Sequence, residues 1–227
     1  MKDTELLGPT SVVTQKIDGY LEHDKRSETN AIVLHMTGGS KNGTLDQYAN
    51  KNKKNLPGAH FLITKTGEIV QTAKLGYVTY HVGPVRPKGY RPNGDNANVE
   101  VKALLTDKEI EELRDKNKSF DEKKMSMYKL QLDKPYNADL NDKNSRFPYN
   151  KDSIGIEFEA LNDANTKPKT QVNVEYDALT EDQIKAGKML VKFLKDYYKL
   201  SDADIYEHPE ISYKTRSEAN GTREAVK

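Results

Sequence analysis

Hydrophobic and polar positions follow two rhythms along this chain. Ala31-Ile32-Val33-Leu34-His35-Met36 is an apolar run interrupted by one histidine and bordered by Asn30 and Gly38-Gly39. Its length and borders predict a buried strand. Residues 59–64 and 68–72 are two further runs separated by Lys65-Thr66-Gly67, and a glycine in so short a turn predicts a hairpin. Val78 to Gly83 is another short run. From Ser153 to Ala160 the pattern alternates. Ile154, Ile156 and Phe158 point to one face, and Gly155, Glu157 and Glu159 to the other.

The second rhythm is helical. Thr44-Leu45-Asp46-Gln47 has capping-box spacing and predicts a helix from Leu45 to about Lys53. Thr106-Asp107-Lys108-Glu109 predicts a charged helix to about Lys116, which residues 121–130 could continue. Thr180-Glu181-Asp182-Gln183 opens a third helix, with Ile184, Gly187, Val191, Leu194 and Tyr198 on one stripe and an end near Leu200. Strands interleaved with helices predict an α/β fold of the mixed α+β kind, a central mixed sheet flanked by helices.

Between these elements lie two polar stretches. Residues 1–30 read as a lead-in with a short amphipathic stretch from Val12 to Tyr20. Residues 85–150 begin in a Pro- and Gly-rich loop and end in an Asn-, Asp- and Lys-rich one, with too few apolar positions for a core of their own. They read as an insertion or lid on a single domain spanning residues 1–227.

Composition narrows the chemistry. The chain has 36 basic and 35 acidic residues, a net charge of +1, so electrostatics offers no case for nucleic acid or an anionic membrane. No apolar run approaches a membrane span, and the N-terminus lacks the apolar core of a signal peptide. The expected setting is the cytoplasm, or the cell wall after export by another route. There is no cysteine, which excludes disulfides and thiolate catalysis and leaves His, Asp and Glu as zinc ligands.

Those residue types gather in suggestive contexts. His35 ends an apolar strand beside Thr37-Gly38-Gly39. His208 lies in Tyr206-Glu207-His208-Pro209-Glu210, with Glu218 ten residues further on. Two neutral imidazoles and a carboxylate leave a tetrahedral zinc ion one open position, the layout of a catalytic site. Glu157 or Glu159, sharing a strand face, could then serve as general base, Glu157 beside Gly155 being the better placed. His81 could be a further imidazole ligand. His60 reads as a packed strand residue and His23 as a surface one.

In order along the chain, these pieces resemble the zinc N-acetylmuramoyl-L-alanine amidases, which share a fold with phage amidase lysozymes and peptidoglycan recognition proteins. Ile32-Val33-Leu34-His35 looks like the first ligand strand of that family. Ala59-His60-Phe61-Leu62-Ile63 with Gly67-Glu68-Ile69-Val70-Gln71 looks like its central hairpin. Tyr80-His81-Val82-Gly83 is similar to its aromatic-His-x-Gly motif. Ser153-Ile154-Gly155-Ile156-Glu157 resembles its catalytic-glutamate strand, and His208 through Glu218 its C-terminal ligand loop.

The resemblance implies His35, His208 and Glu218 as zinc ligands, Glu157 as general base, and Arg216 as an oxyanion-stabilising cation. It implies substrate contacts by His81, Tyr80 and Thr37. Two positions depart from the family pattern: Glu218 stands where Asp or Cys is usual, and Arg216 where Lys is common. The expected partners are peptidoglycan or muropeptides, with an immunity or carrier protein as a further possibility for residues 85–150. The expected activity is hydrolysis of the N-acetylmuramoyl–L-alanine amide. Its rivals are a recognition module without catalysis, a metallopeptidase cutting elsewhere in the stem peptide, and an adaptor without metal.

Overall fold

A computed structural model describes residues 15–16, 21–50, 56–83, 85, 146–162, 175–212 and 217–227. The expected helices at 106–130, most of the 85–150 insertion and most of residues 1–20 lie outside them. The described strands are β1 (Gln15–Lys16), β2 (Ala31–Gly38), β3 (Phe61–Ile63), β4 (Ile69–Gln71), β5 (Ser153–Leu161) and β6 (Ile205–Glu207). The described helices are α1 (Lys41–Tyr48), α2 (Glu181–Tyr198), α3 (His208–Ile211) and α4 (Thr222–Val226). The strands form one sheet in the order β1-β4-β3-β5-β2-β6. Only the β3–β4 hairpin is antiparallel, so the sheet is mixed as expected.

Strand periodicity sorts the two faces. Ile32, Leu34 and Met36 of β2, Phe61 and Ile63 of β3, and Ile154, Ile156 and Phe158 of β5 form one buried cluster with Ala186, Leu190, Val191 and Leu194 of α2. Each of the larger side chains among them contributes about 1.5–3 kcal/mol when removed from water. Gly187 sets the closeness of that packing, because a Cβ there would stand 2.7 Å from Val226 and 3.2 Å from the Phe158 ring. The helix begins at the expected box: Thr180 accepts from the Gln183 amide, and the Gln183 side chain accepts from Thr180. Gln183 also donates to the carbonyls of Ile63 (3.3 Å) and Glu159 (2.9 Å), tying the helix start to two strand ends.

Two local expectations are corrected. Helix α1 starts at Lys41, capped by Ser40, and Thr44 lies buried inside it. The cause is distant in sequence: Glu159 accepts from the Lys41 amide at 2.6 Å and from the Lys65 amide at 2.9 Å, clamping the helix start to the hairpin turn. Residues 78–83 form no ladder strand. Tyr80 makes an isolated bridge to Pro57, and the Asn150 carboxamide takes up the amides of His81 and Val82.

Candidate metal centre

With Ile32, Leu34 and Met36 committed to α2, the alternation of β2 sends His35 to the opposite face. Its direct partner in β5 is Glu157, two strands running parallel in register. On the other side β6 pairs Ile32 with Ile205, Val33 with Tyr206 and Leu34 with Glu207, so the next residue, His208, arrives level with His35. Glu157 and His35 on adjacent strands and His208, the first residue after β6, therefore form a row. Glu218 joins from the turn before α4. Ala219 follows it with φ 62°, a left-handed conformation rare for a residue with a Cβ, and Thr222 braces that turn through its hydroxyl on the Ala219 carbonyl at 2.6 Å.

His35 Nδ1 lies 2.8 Å from His208 Nδ1, which lies 2.8 Å from Glu218 Oε1, and the third edge is 3.7 Å. All three residues are buried. Protons account poorly for this triangle. The Nδ1 of His208 carries at most one hydrogen, which can serve one of its two short edges. A cation serves all three donors together. A triangle with these edges has a circumradius of about 1.9 Å, so an ion slightly off its plane can reach each donor at the ~2.0–2.1 Å of zinc bonds. The group fits a divalent ion taking two imidazoles and one carboxylate.

Glu157 is half-buried, with Oε2 shielded from solvent. Its charge reaches Tyr48, whose phenol is held well above its usual pKa first by burial and then by Glu157. The Tyr48 hydroxyl accepts from the Ala59 amide at 3.3 Å. Nothing in the sequence marked Tyr48; its helix position reveals it only once α1 is docked.

His81, expected on the substrate side, lies directly behind His35. The residue is 7% exposed, with Nδ1 3.0 Å from His35 Nε2 and Nε2 3.3 Å from Ser153 Oγ. Burial, then the neighbouring imidazoles, hold His81 well below the usual histidine pKa, so it is neutral. Gly155 makes the room: a Cβ there would stand 2.7 Å from both His81 Cγ and Nδ1. The Thr37 hydroxyl is likewise engaged in backbone, donating to Gly39 (2.7 Å) and accepting from the Ala160 amide (3.2 Å) where β2 and β5 lose register. Tyr80 stacks on His23 with centroids 3.7 Å apart.

His60 is buried beside this group. Its Nδ1 accepts from the Gly155 amide at 3.1 Å, which leaves Nε2–H to donate to the Tyr77 carbonyl at 3.0 Å. Burial, and then the Arg26 guanidinium, push its pKa well below the usual value. Glu207 and Glu210 stay out of the cluster: they accept from the Arg223 amide (3.1 Å) and guanidinium (2.9 Å) and brace α3 against α4. Arg216 lies outside the described residues.

The family of N-acetylmuramoyl-L-alanine amidases matches residues 25–222 of this sequence. The chain belongs to that family. No curated protein matches the chain. Among solved structures it is similar to a selenomethionine derivative of AmpD, at 16% identity and TM-score 0.48, covering 91% of this chain and 87% of that one. It is also similar to the amidase LysC from Clostridium intestinale, at 14% identity and TM-score 0.44, covering 88% and 84%. A third is AmpDh3 from Pseudomonas aeruginosa, solved in complex with anhydromuramic pentapeptide, at 15% identity and TM-score 0.46, covering 86% and 57%. As an amidase-family chain it carries a His-His-Glu cluster suited to a metal ion, drawn from His35, His208 and Glu218.

Proposed function

We propose that the chain is a zinc-dependent amidase that hydrolyses the bond between N-acetylmuramic acid and L-Ala in peptidoglycan or soluble muropeptides. The observation that carries this reading is the row of Glu157 on β5, His35 on β2 and His208 just after β6, closed by Glu218. Zinc held there would act as a Lewis acid on the scissile carbonyl and bring the pKa of an attacking water toward ~7. His35 and His208 contribute neutral nitrogens and Glu218 a single negative charge, so a divalent ion with these three ligands would keep a net positive charge suited to that task. Glu157 takes the proton of the attacking water and returns it to the leaving amine. Its register opposite His35, on the same sheet face, supports that role. Arg216, eight residues beyond His208, is assigned to the oxyanion, a contribution typically worth ~3 kcal/mol.

The test is mass spectrometry of peptidoglycan and of soluble muropeptides after incubation with zinc-loaded protein, beside the Glu157→Gln variant. Free peptides beginning at L-Ala, lost in the variant while zinc content is kept, are the expected result. Zinc-bound protein that binds fragments and leaves them intact would overturn catalysis in favour of recognition. New termini inside the stem peptide would change the bond cut.

A further inference from the structure

The geometry points to His81 and Ser153 as positioning residues that fix which nitrogen of His35 is offered to the metal. The inference rests on the reading of His35, His208 and Glu218 as a metal centre. It starts from an atom whose role is fixed. The Tyr149 carbonyl can only accept, so the Ser153 hydroxyl, 2.6 Å away, donates to it. The single Ser153 proton is then spent, and Ser153 Oγ faces His81 Nε2 at 3.3 Å as an acceptor. His81 must therefore carry its proton on Nε2, which leaves Nδ1 bare. That lone pair faces His35 Nε2 at 3.0 Å and requires a proton there. His35 is thus left with an unprotonated Nδ1, the atom that faces His208 and Glu218.

The relay is braced at each step. The Tyr149 amide donates to Asp152 at 2.7 Å, and Asp152 is paired with the Arg146 guanidinium at 2.9 Å, both residues buried. Asn150 accepts from the His81 and Val82 amides at 3.0 and 2.7 Å and donates to the Val82 carbonyl at 3.0 Å, fixing the backbone under the ring. The absence of a Cβ at Gly155 lets the imidazole lie against β5. The group behind His35 is thus a neutral imidazole. A carboxylate in its place would add a further negative charge to those of Glu218 and Glu157; His81 orients His35 without that charge. Removing the partner behind a metal-binding histidine typically costs 10–100-fold in metal affinity.

Two measurements test this. Long-range ¹H–¹⁵N spectra of the metal-free protein read the tautomers directly: His35 and His81 should both be protonated at Nε2 and bare at Nδ1. A proton on Nδ1 of His35 overturns the proposal. Competition with a chelator should show zinc affinity falling about 10–100-fold in His81→Ala and by less in Ser153→Ala. His81→Asn, whose side-chain carbonyl can accept from His35, should recover part of the loss. Wild-type zinc affinity in a folded His81→Ala protein also overturns it. If His81→Ala does not fold, the wild-type spectra and Ser153→Ala decide, a wild-type affinity in Ser153→Ala counting against the relay. A wild-type protein with these tautomers but no zinc affinity would instead sink the metal reading itself.

Discussion

The two faces of the sheet are built from the same strands and solve different problems. Toward α2, β2 and β5 present Ile32, Leu34, Met36, Ile154, Ile156 and Phe158, an apolar surface that needs only to be covered. The opposite face carries Ser153, Gly155, Glu157 and His35, with His60 and His81 packed over it. The Ser153 hydroxyl, the Gly155 amide and the ring nitrogens of His60 and His81 there are each committed to a named partner. The apolar face tolerates error in proportion to volume lost. The polar face fails atom by atom, because a buried polar group deprived of its partner costs about 1–3 kcal/mol by itself. One alternation of side chains thus makes stability and chemistry neighbours in sequence and separable in effect.

That separation can be attacked from either side. Phe158→Ala empties part of the apolar face and should cost about 3–5 kcal/mol in chemical denaturation. Zinc affinity of the folded fraction should be unchanged; a parallel loss of affinity would show that the two faces are coupled. Gly155→Ala changes the polar face one residue position away from Ile154 and Ile156. Its Cβ collides with the His81 ring, so a loss of about 1–3 kcal/mol is expected, together with weaker zinc binding. Stability lost without any change in affinity would mean that the ring can shift without consequence.

A gentler probe is pH. His60 is buried with its pKa well below the unfolded value, so the unfolded chain binds a proton there more readily than the folded one. Its contribution to stability is fully present above the unfolded pKa of ~6.5 and is lost as pH falls below it toward the folded value. The slope in that window should reach about 1.4 kcal/mol per pH unit from this residue. Denaturation midpoints measured from pH 7.5 to 5 should show it, and His60→Gln should flatten the curve. An unchanged slope in the variant would assign the acid sensitivity elsewhere.

Much of the site was legible because strand periodicity is local. The apolar run through Met36 fixed the phase of β2 and so the side on which His35 emerges, and the alternation after Ser153 did the same for Glu157. The capping box at Thr180 predicted the start of α2. What the sequence hid depends on contacts between distant segments. Ser40 rather than Thr44 begins α1 because Glu159, from another strand, holds the Lys41 amide. The role of Ser153 could not be read from its neighbours, since its meaning comes from the Tyr149 carbonyl and the His81 ring meeting across the fold. The Tyr80-His81 motif was visible in the sequence; the space that Gly155 leaves for the His81 ring was not.

The three residues of the cluster also have a topological meaning. His35 and His208 are 173 residues apart, and Glu218 lies beyond both. In a chain without cysteine, an ion shared by these three is a clasp joining the first described long strand to the last turn. Its strength is set by the medium rather than by the chain: an ion at a hundred times its dissociation constant adds about 2.7 kcal/mol to the folded state, and one chelated away adds nothing. On the proposed reading, the supply of metal around the protein would set both its activity and the fraction of it that is folded.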